Sequence, residues 1–145
     1  MQNASAADQP IRNVMEAYAA AVFAQDADAF AALYERDVRV FNLWAKWSDD
    51  GVAAWRAMAV DWFGSLGTER VVVGWDDVRT TMTSELAVLQ AFFSYQAVSA
   101  EGVELRKMSN RLTWVLQPAN GAWKIVHEHT SAPVDAATMK VILRR

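Results

Sequence analysis

The sequence contains no cysteine. Disulfides, thiolate zinc sites, iron–sulfur clusters and cysteine nucleophiles are therefore excluded. Histidine is scarce as well: only His127 and His129 occur. A metal site built on that pair would need a carboxylate from elsewhere. Asp37, Asp76, Asp77 and Glu104 are available, but no spacing singles one out, so no metal is expected. Basic residues are not in surplus. Lys and Arg number 14 against 17 Asp and Glu, a net charge of −3, whereas nucleic-acid binders usually carry a basic excess. No apolar run approaches the ~20 residues of a membrane span. The segment Met1 to Asp8 lacks the basic start and apolar stretch of a secretory signal. Glycine-rich phosphate loops, GxSxG elbows and Walker patterns are absent, so no cofactor is expected. Together these absences predict a cytoplasmic protein without nucleic-acid or membrane partners.

What is present is apolar and aromatic. Of 145 residues, 53% are hydrophobic and seven are tryptophan. A chain of this length forms one domain and buries about two-thirds of its unfolded surface. Residues 1–9 read as a frayed or disordered polar arm and 10–145 as a single domain. Asp8 and Pro10 mark a helix start, and Ile11, Val14, Met15, Tyr18 and Val22 give it one apolar face. Asp26 can cap a second, shorter helix that buries Phe30, Leu33 and Tyr34. Val38 to Trp44 reads as a strand. Ser48-Asp49-Asp50 suggests a third helix start, with Trp55, Met58, Ala59, Trp62 and Phe63 on its apolar face and Gly64 and Gly67 at its end.

After Thr68 the period becomes two. Strands are predicted at about 70–83, 86–100, 103–117 and 122–132, with turns near Ser84-Glu85, Glu101-Gly102 and Asn120-Gly121. Pro118 is read as stopping its strand. Helices first and a four-strand meander after predict an α+β domain, with helices packed on one face of a curved antiparallel sheet. Residues 136–145 fit either a short helix or a strand.

In the strand around 103–117, Met108, Leu112, Trp114 and Leu116 alternate with polar residues and should face the helices. Asn110 shares their face. In the last strand, strict alternation groups Trp123, Ile125, His127, His129 and Ser131 on the inner face, and Lys124, Val126, Glu128 and Thr130 on the outer. A four-residue loop from Pro118 to Gly121 would set Arg111 opposite Glu128 on the outer face. A register slip of one would instead turn Arg111 inward, where it could clamp a carboxylate. The alternation favours the outer position.

The segment Arg111-Leu-Thr113, followed by Asn120-Gly-Ala-Trp123-Lys-Ile-Val-His127-Glu-His129-Thr-Ser131-Ala-Pro133, resembles the C-terminal signature of SnoaL-like domains. These belong to the nuclear-transport-factor-2-like (NTF2-like) superfamily, which also contains ketosteroid isomerase. The Trp123 to Ser131 run also resembles the end of the calmodulin-dependent kinase association domain. The N-terminal Tyr18-Ala-Ala-Ala-Val-Phe-Ala-Gln-Asp26, with Phe30 and Leu33-Tyr34, is similar to the first two helices of the superfamily. The resemblance implies a cone-shaped curved antiparallel sheet packed on three N-terminal helices, usually dimeric, with one apolar pocket between the layers. It does not fix an activity, because this fold hosts enzymes and binding modules alike.

By that resemblance Tyr18, eight residues before Asp26, matches the oxyanion tyrosine of ketosteroid isomerase. The position of that family's base is held by Asn42, which cannot accept a proton at neutral pH, so steroid isomerase chemistry by that route is disfavoured. The expected site is a pocket lined by Tyr18, Asn42, Trp44, Trp62, Asn110, His127 and His129. One histidine would move a proton, and Tyr18 or Asn42 would orient a carbonyl. Arg111 joins as a substrate-binding candidate if it turns inward. The bland alternative for each is structural: a core tyrosine, bonded histidines, core tryptophans. The functional expectation is a homodimeric protein that binds a small apolar or aromatic carbonyl compound. As an enzyme it would be a cofactor-free isomerase, cyclase or dehydratase. The alternative is a non-catalytic ligand-binding or oligomer-assembly module.

Overall fold

The computed structural model describes residues 8–145. Most of the arm expected at 1–9 therefore lies outside the described residues. Helix α1 spans Gln9–Ala24, with Pro10 in its first turn and Asp8 at the N-cap position, although the Asp8 side chain makes no capping bond. Gln25 ends it in the left-handed region, at φ 56°. Asp26 caps α2 (Ala27–Ala31), its carboxylate accepting from Ala29 N–H at 3.0 Å. Strand β1 covers Tyr34–Phe41, starting and ending a few residues earlier than the sequence pattern suggests.

Asp49-Asp50 does not open a helix. The pair forms a two-residue strand, β2, against Arg39 and Val40. Helix α3 begins afterwards, at Val52–Leu66, with Gly51 as its N-cap at φ 89°. Gly64 lies inside this helix and Gly67 caps its end. The meander follows as β3 (Arg70–Met82), β4 (Ala87–Val98), β5 (Glu104–Ala119) and β6 (Ala122–Ser131).

One six-stranded sheet results, in the order β2-β1-β6-β5-β4-β3. Every neighbouring pair is antiparallel except β1 with β6, which run parallel. The three helices cover one face of the sheet, so the architecture is the expected α+β one. Phe30 sits at the centre of the core. It is fully buried, and its ring lies 5.3–6.1 Å from those of Tyr18, Tyr34, Trp55 and Phe63. At such separations aromatic pairs add packing energy beyond burial alone.

The last hairpin differs from the sequence reading, and the difference decides the site. Its loop has two residues, not four. Asn120 and Gly121 take φ of 50° and 80°, and Ala119 pairs with Ala122. Pro118 does not stop the strand. It pairs with Trp123, and β4 reaches only to Leu116, so no neighbour on that side needs its missing N–H. Between Leu116–Ile125 and Val115–His127 the register shifts, leaving Val126 as an extra residue on β6. A one-residue bulge in a period-two strand turns every later side chain to the opposite face. Arg111 consequently lies opposite Ser131, and Glu128 lies opposite Trp114.

Residues 132–145 form neither a regular helix nor a named strand. Val134 and Val141 make one antiparallel bridge. The final residues then return beside β5, where Ser109 N–H donates to the Leu143 carbonyl at 2.7 Å. None of the described helices is long and apolar enough to cross a membrane.

Candidate functional site

A cavity of about 700 Å³ opens between the helices and the inner face of the sheet. That volume lies within the range of small-molecule sites. Its walls are mostly apolar and aromatic, with contributions from Phe30, Trp55, Met58, Trp62, Leu66 and Met108. Into this surface the fold inserts one buried carboxylate and two tyrosines, Tyr18 and Tyr95, with Tyr34 behind the carboxylate.

The carboxylate is Glu128, only 3% exposed. The bulge at Val126 puts it on the inner face, and the parallel pairing of β6 with β1 sets it beside Val40. Its Oε1 accepts two bonds, from Tyr34 Oη–H at 2.6 Å and from Trp114 Nε1–H at 2.7 Å. Among the described residues none donates to Oε2, so one oxygen is anchored and the other is left for a proton or a ligand. Burial pushes the Glu128 carboxyl above its ordinary value of 4.5, and the bonds from Tyr34 and Trp114 oppose the shift. A carboxyl that holds its proton to higher pH in an apolar pocket is suited to acid/base work near neutrality.

Tyr18, from the buried face of α1, shares a 2.6 Å hydrogen bond with Tyr95 Oη of β4. Burial raises the hydroxyl pKa of Tyr18, Tyr34 and Tyr95, and a charge on Glu128 raises all three further. They therefore stay neutral donors. Trp62 packs edge-on against Tyr95 with centroids 5.4 Å apart.

Five of the residues expected at the site do line the cavity: Tyr18, Asn42, Trp44, Trp62 and Asn110. Trp44, half exposed, stands at the mouth. Asn110 is buried, and its Oδ1 has no hydrogen-bond partner among the described residues. Thr130, brought inward by the same bulge, donates a long 3.5 Å bond to Asn42 Oδ1.

Three expectations are corrected. His127 and His129 do not face the cavity, because the extra residue at Val126 rotates both to the outer face. There His127 Nδ1–H donates to the Arg39 carbonyl at 2.7 Å. Both imidazoles meet the Phe41 ring edge-on, at 5.0 and 5.5 Å. Arg111 also lies on the outer face, as alternation favours, but its Nε–H donates to Ser131 Oγ at 3.0 Å rather than pairing with Glu128. No cluster of three or more metal-ligating side chains exists among the described residues.

Glu128, Tyr34, Tyr95 and Thr130 escape a reading by alternation. The one hint for Glu128 is local: Ile125-Val126 are adjacent apolar residues and break the period-two pattern where the bulge occurs. Tyr34, read from its spacing as part of the second helix, opens β1 instead, which aims its hydroxyl at Glu128.

Sequence comparison matches residues 11–135 to the SnoaL-like domain. No curated protein matches the chain. Among solved structures, an NTF2-like protein of unknown function from Pseudomonas putida KT2440 is similar, with 24% identity, TM-score 0.82, and coverage of 98% of this chain and 97% of that one. A candidate calcium/calmodulin-dependent protein kinase II association domain from Xanthomonas campestris aligns at 18% identity and TM-score 0.69, covering 91% and 94%. An NTF2-like superfamily protein from Salmonella enterica serovar Typhimurium gives 18% and 0.68, covering 89% and 92%. At these identities the likeness establishes a shared fold and nothing finer. Matched over most of its length and sharing the fold of these neighbours, the chain belongs to the SnoaL-like domain family.

Proposed function

We propose that this protein binds a small, largely apolar or aromatic carbonyl compound in the inner cavity and moves a proton on it through Glu128. The observation that carries the reading is the asymmetry of that carboxyl: Oε1 is held by Tyr34 and Trp114, while Oε2 has no donor among the described residues. Ionised, Oε2 takes a proton from carbon; neutral, it returns one. The pair Tyr18–Tyr95 supplies a hydroxyl to a carbonyl oxygen that gains charge. Isomerisation, cyclisation and dehydration all need this set of groups and no cofactor.

The test uses 5-nitrobenzisoxazole, a flat aromatic probe of proton abstraction. A carboxylate takes its C3 proton, the C–H electron pair completes a nitrile, and the N–O bond breaks to give a coloured phenolate. Turnover above the acetate-catalysed rate that is lost in Glu128→Gln supports the assignment. Equal turnover by Glu128→Gln overturns it. Absence of turnover, with a small molecule retained in native mass spectrometry, favours the alternative of a non-catalytic binding module. That alternative draws its support from the fold likeness to a candidate kinase association domain; an assembly larger than a dimer would extend it to an oligomer-assembly role.

A further inference from the structure

A second hollow, of about 320 Å³, lies on the other side of the sheet. It forms where β6 parts from β5. Their pairing ends at Arg111–Ser131, and the tail residues Ile142, Arg144 and Arg145 close the gap from the far side. Phe92, Pro133 and Ile142 give it apolar walls.

Three guanidinium groups surround this hollow, in a chain whose net charge is −3. Their surroundings differ. Arg145 is neutralised by Asp76, and its guanidinium lies 3.9 Å from the centre of the Phe92 ring. Arg111 uses only Nε–H, on Ser131 Oγ. Its two terminal nitrogens, half of the planar fork that grips oxyanions, have no partner among the described residues. Arg144 likewise has no ion pair or side-chain hydrogen bond among the described residues. Two of the three positive charges are thus uncompensated beside an aromatic and aliphatic wall. Arg145, held in place by Asp76 and Phe92, anchors the tail that carries Arg144.

We infer that this groove is an oxyanion site, separate from the inner cavity, for a carboxylate or phosphate on a small molecule. The oxyanion bridges Arg111 and Arg144, and the apolar body of the molecule rests on Phe92, Pro133 and Ile142.

The experiment titrates inorganic phosphate, acetate and benzoate into ¹⁵N-labelled protein at low ionic strength. Saturable shifts at Ser109–Arg111 and at residues 142–145 are expected, with benzoate binding at least threefold more tightly than acetate because of the apolar wall. Arg111→Gln and Arg144→Gln should each weaken benzoate at least tenfold. Arg12→Gln, an exposed change on α1, should alter it less than twofold. All three side chains are exposed, so the variants are expected to fold, and circular dichroism checks this. Phosphate binding without preference for benzoate over acetate would retain the oxyanion clamp and overturn the apolar half of the proposal. No shifts at these residues would overturn the whole. Equal weakening by Arg12→Gln would do so too, since it would reduce the effect to net charge. A dimer at working concentration that Arg111→Gln or Arg144→Gln dissociates in sedimentation would reassign the arginines to a self-contact and overturn the proposal.

Discussion

His127, Glu128 and His129 are consecutive on one strand, yet they live in two different solvents. Glu128 is sealed into the inner face with two donors on one oxygen. The histidines flank it on the outer face, where Phe41 and the Arg39 carbonyl hold them against water. Burial raises the pKa of the middle residue, while its two neighbours lie outside the cavity altogether. Residue type is thus a poor guide to chemistry here. Histidine is the usual proton carrier near neutral pH, but the carboxylate is the group in the cavity, and burial raises its pKa toward the useful range.

The largest expected effect breaks this comparison at its centre. Glu128→Gln keeps the shape and both anchoring bonds but removes the proton carrier, so turnover of 5-nitrobenzisoxazole should fall by about 10²-fold or more. His127→Gln and His129→Gln should stay within twofold of wild type. The reverse result would return the chemistry to the outer face.

A second expectation concerns Tyr34→Phe. The bond from Tyr34 lowers the Glu128 pKa, so its loss moves the carboxyl further upward. The rising limb of the turnover–pH profile, where the base must be ionised, should shift to higher pH. Folding stability should drop by about 1–2 kcal/mol, the usual cost of deleting one partner of a buried charged-group bond. A profile that stays in place would show that Tyr34 does not tune Glu128.

The same carboxyl gives a pH dependence of stability whose sign is fixed. Its folded pKa lies above the ordinary 4.5, so between those two values the folded state binds more proton than the unfolded one. Stability then falls as pH rises through that window. Glu128→Gln removes this contribution. Urea melts of the two proteins at a series of pH values should show wild type losing ground to the variant above pH 4.5 and levelling off beyond the folded pKa. Parallel curves would mean that the carboxyl titrates as it does in the unfolded chain.

The legibility of the chain follows the same division. Helix faces and the meander are visible because they rest on many residues at fixed spacing: Ile11, Val14, Tyr18 and Val22 each repeat one message. The cavity residues Tyr18, Asn42, Trp62 and Asn110 inherit their positions from those patterns. The orientation of Glu128 rests on one extra residue, Val126, and a two-residue turn at Asn120-Gly121. Nothing averages over such a feature. Strict alternation carried past it inverts every residue that follows, which is why the histidines read as inward. The short strand Asp49-Asp50 hides for a related reason. Two acids before a helix resemble a cap, and only the pairing with Arg39 and Val40 makes them a strand.

The smallest effects sharpen the comparison within the outer face itself. His127 makes a 2.7 Å bond to the Arg39 carbonyl that ties β6 to β1. His129 is exposed and makes no side-chain hydrogen bond among the described residues; its ring meets Phe41 at 5.5 Å and His127 at 6.4 Å. Alanine at 127 removes a hydrogen bond and part of an aromatic contact, which should cost about 1 kcal/mol. Alanine at 129 removes only these exposed aromatic contacts and should stay within about 0.5 kcal/mol of wild type. Chemical denaturation resolves a difference of that size when the slopes agree. Equal losses at the two positions would mean that the Arg39 bond contributes nothing net, and that the outer ends of β1 and β6 are held by backbone pairing alone.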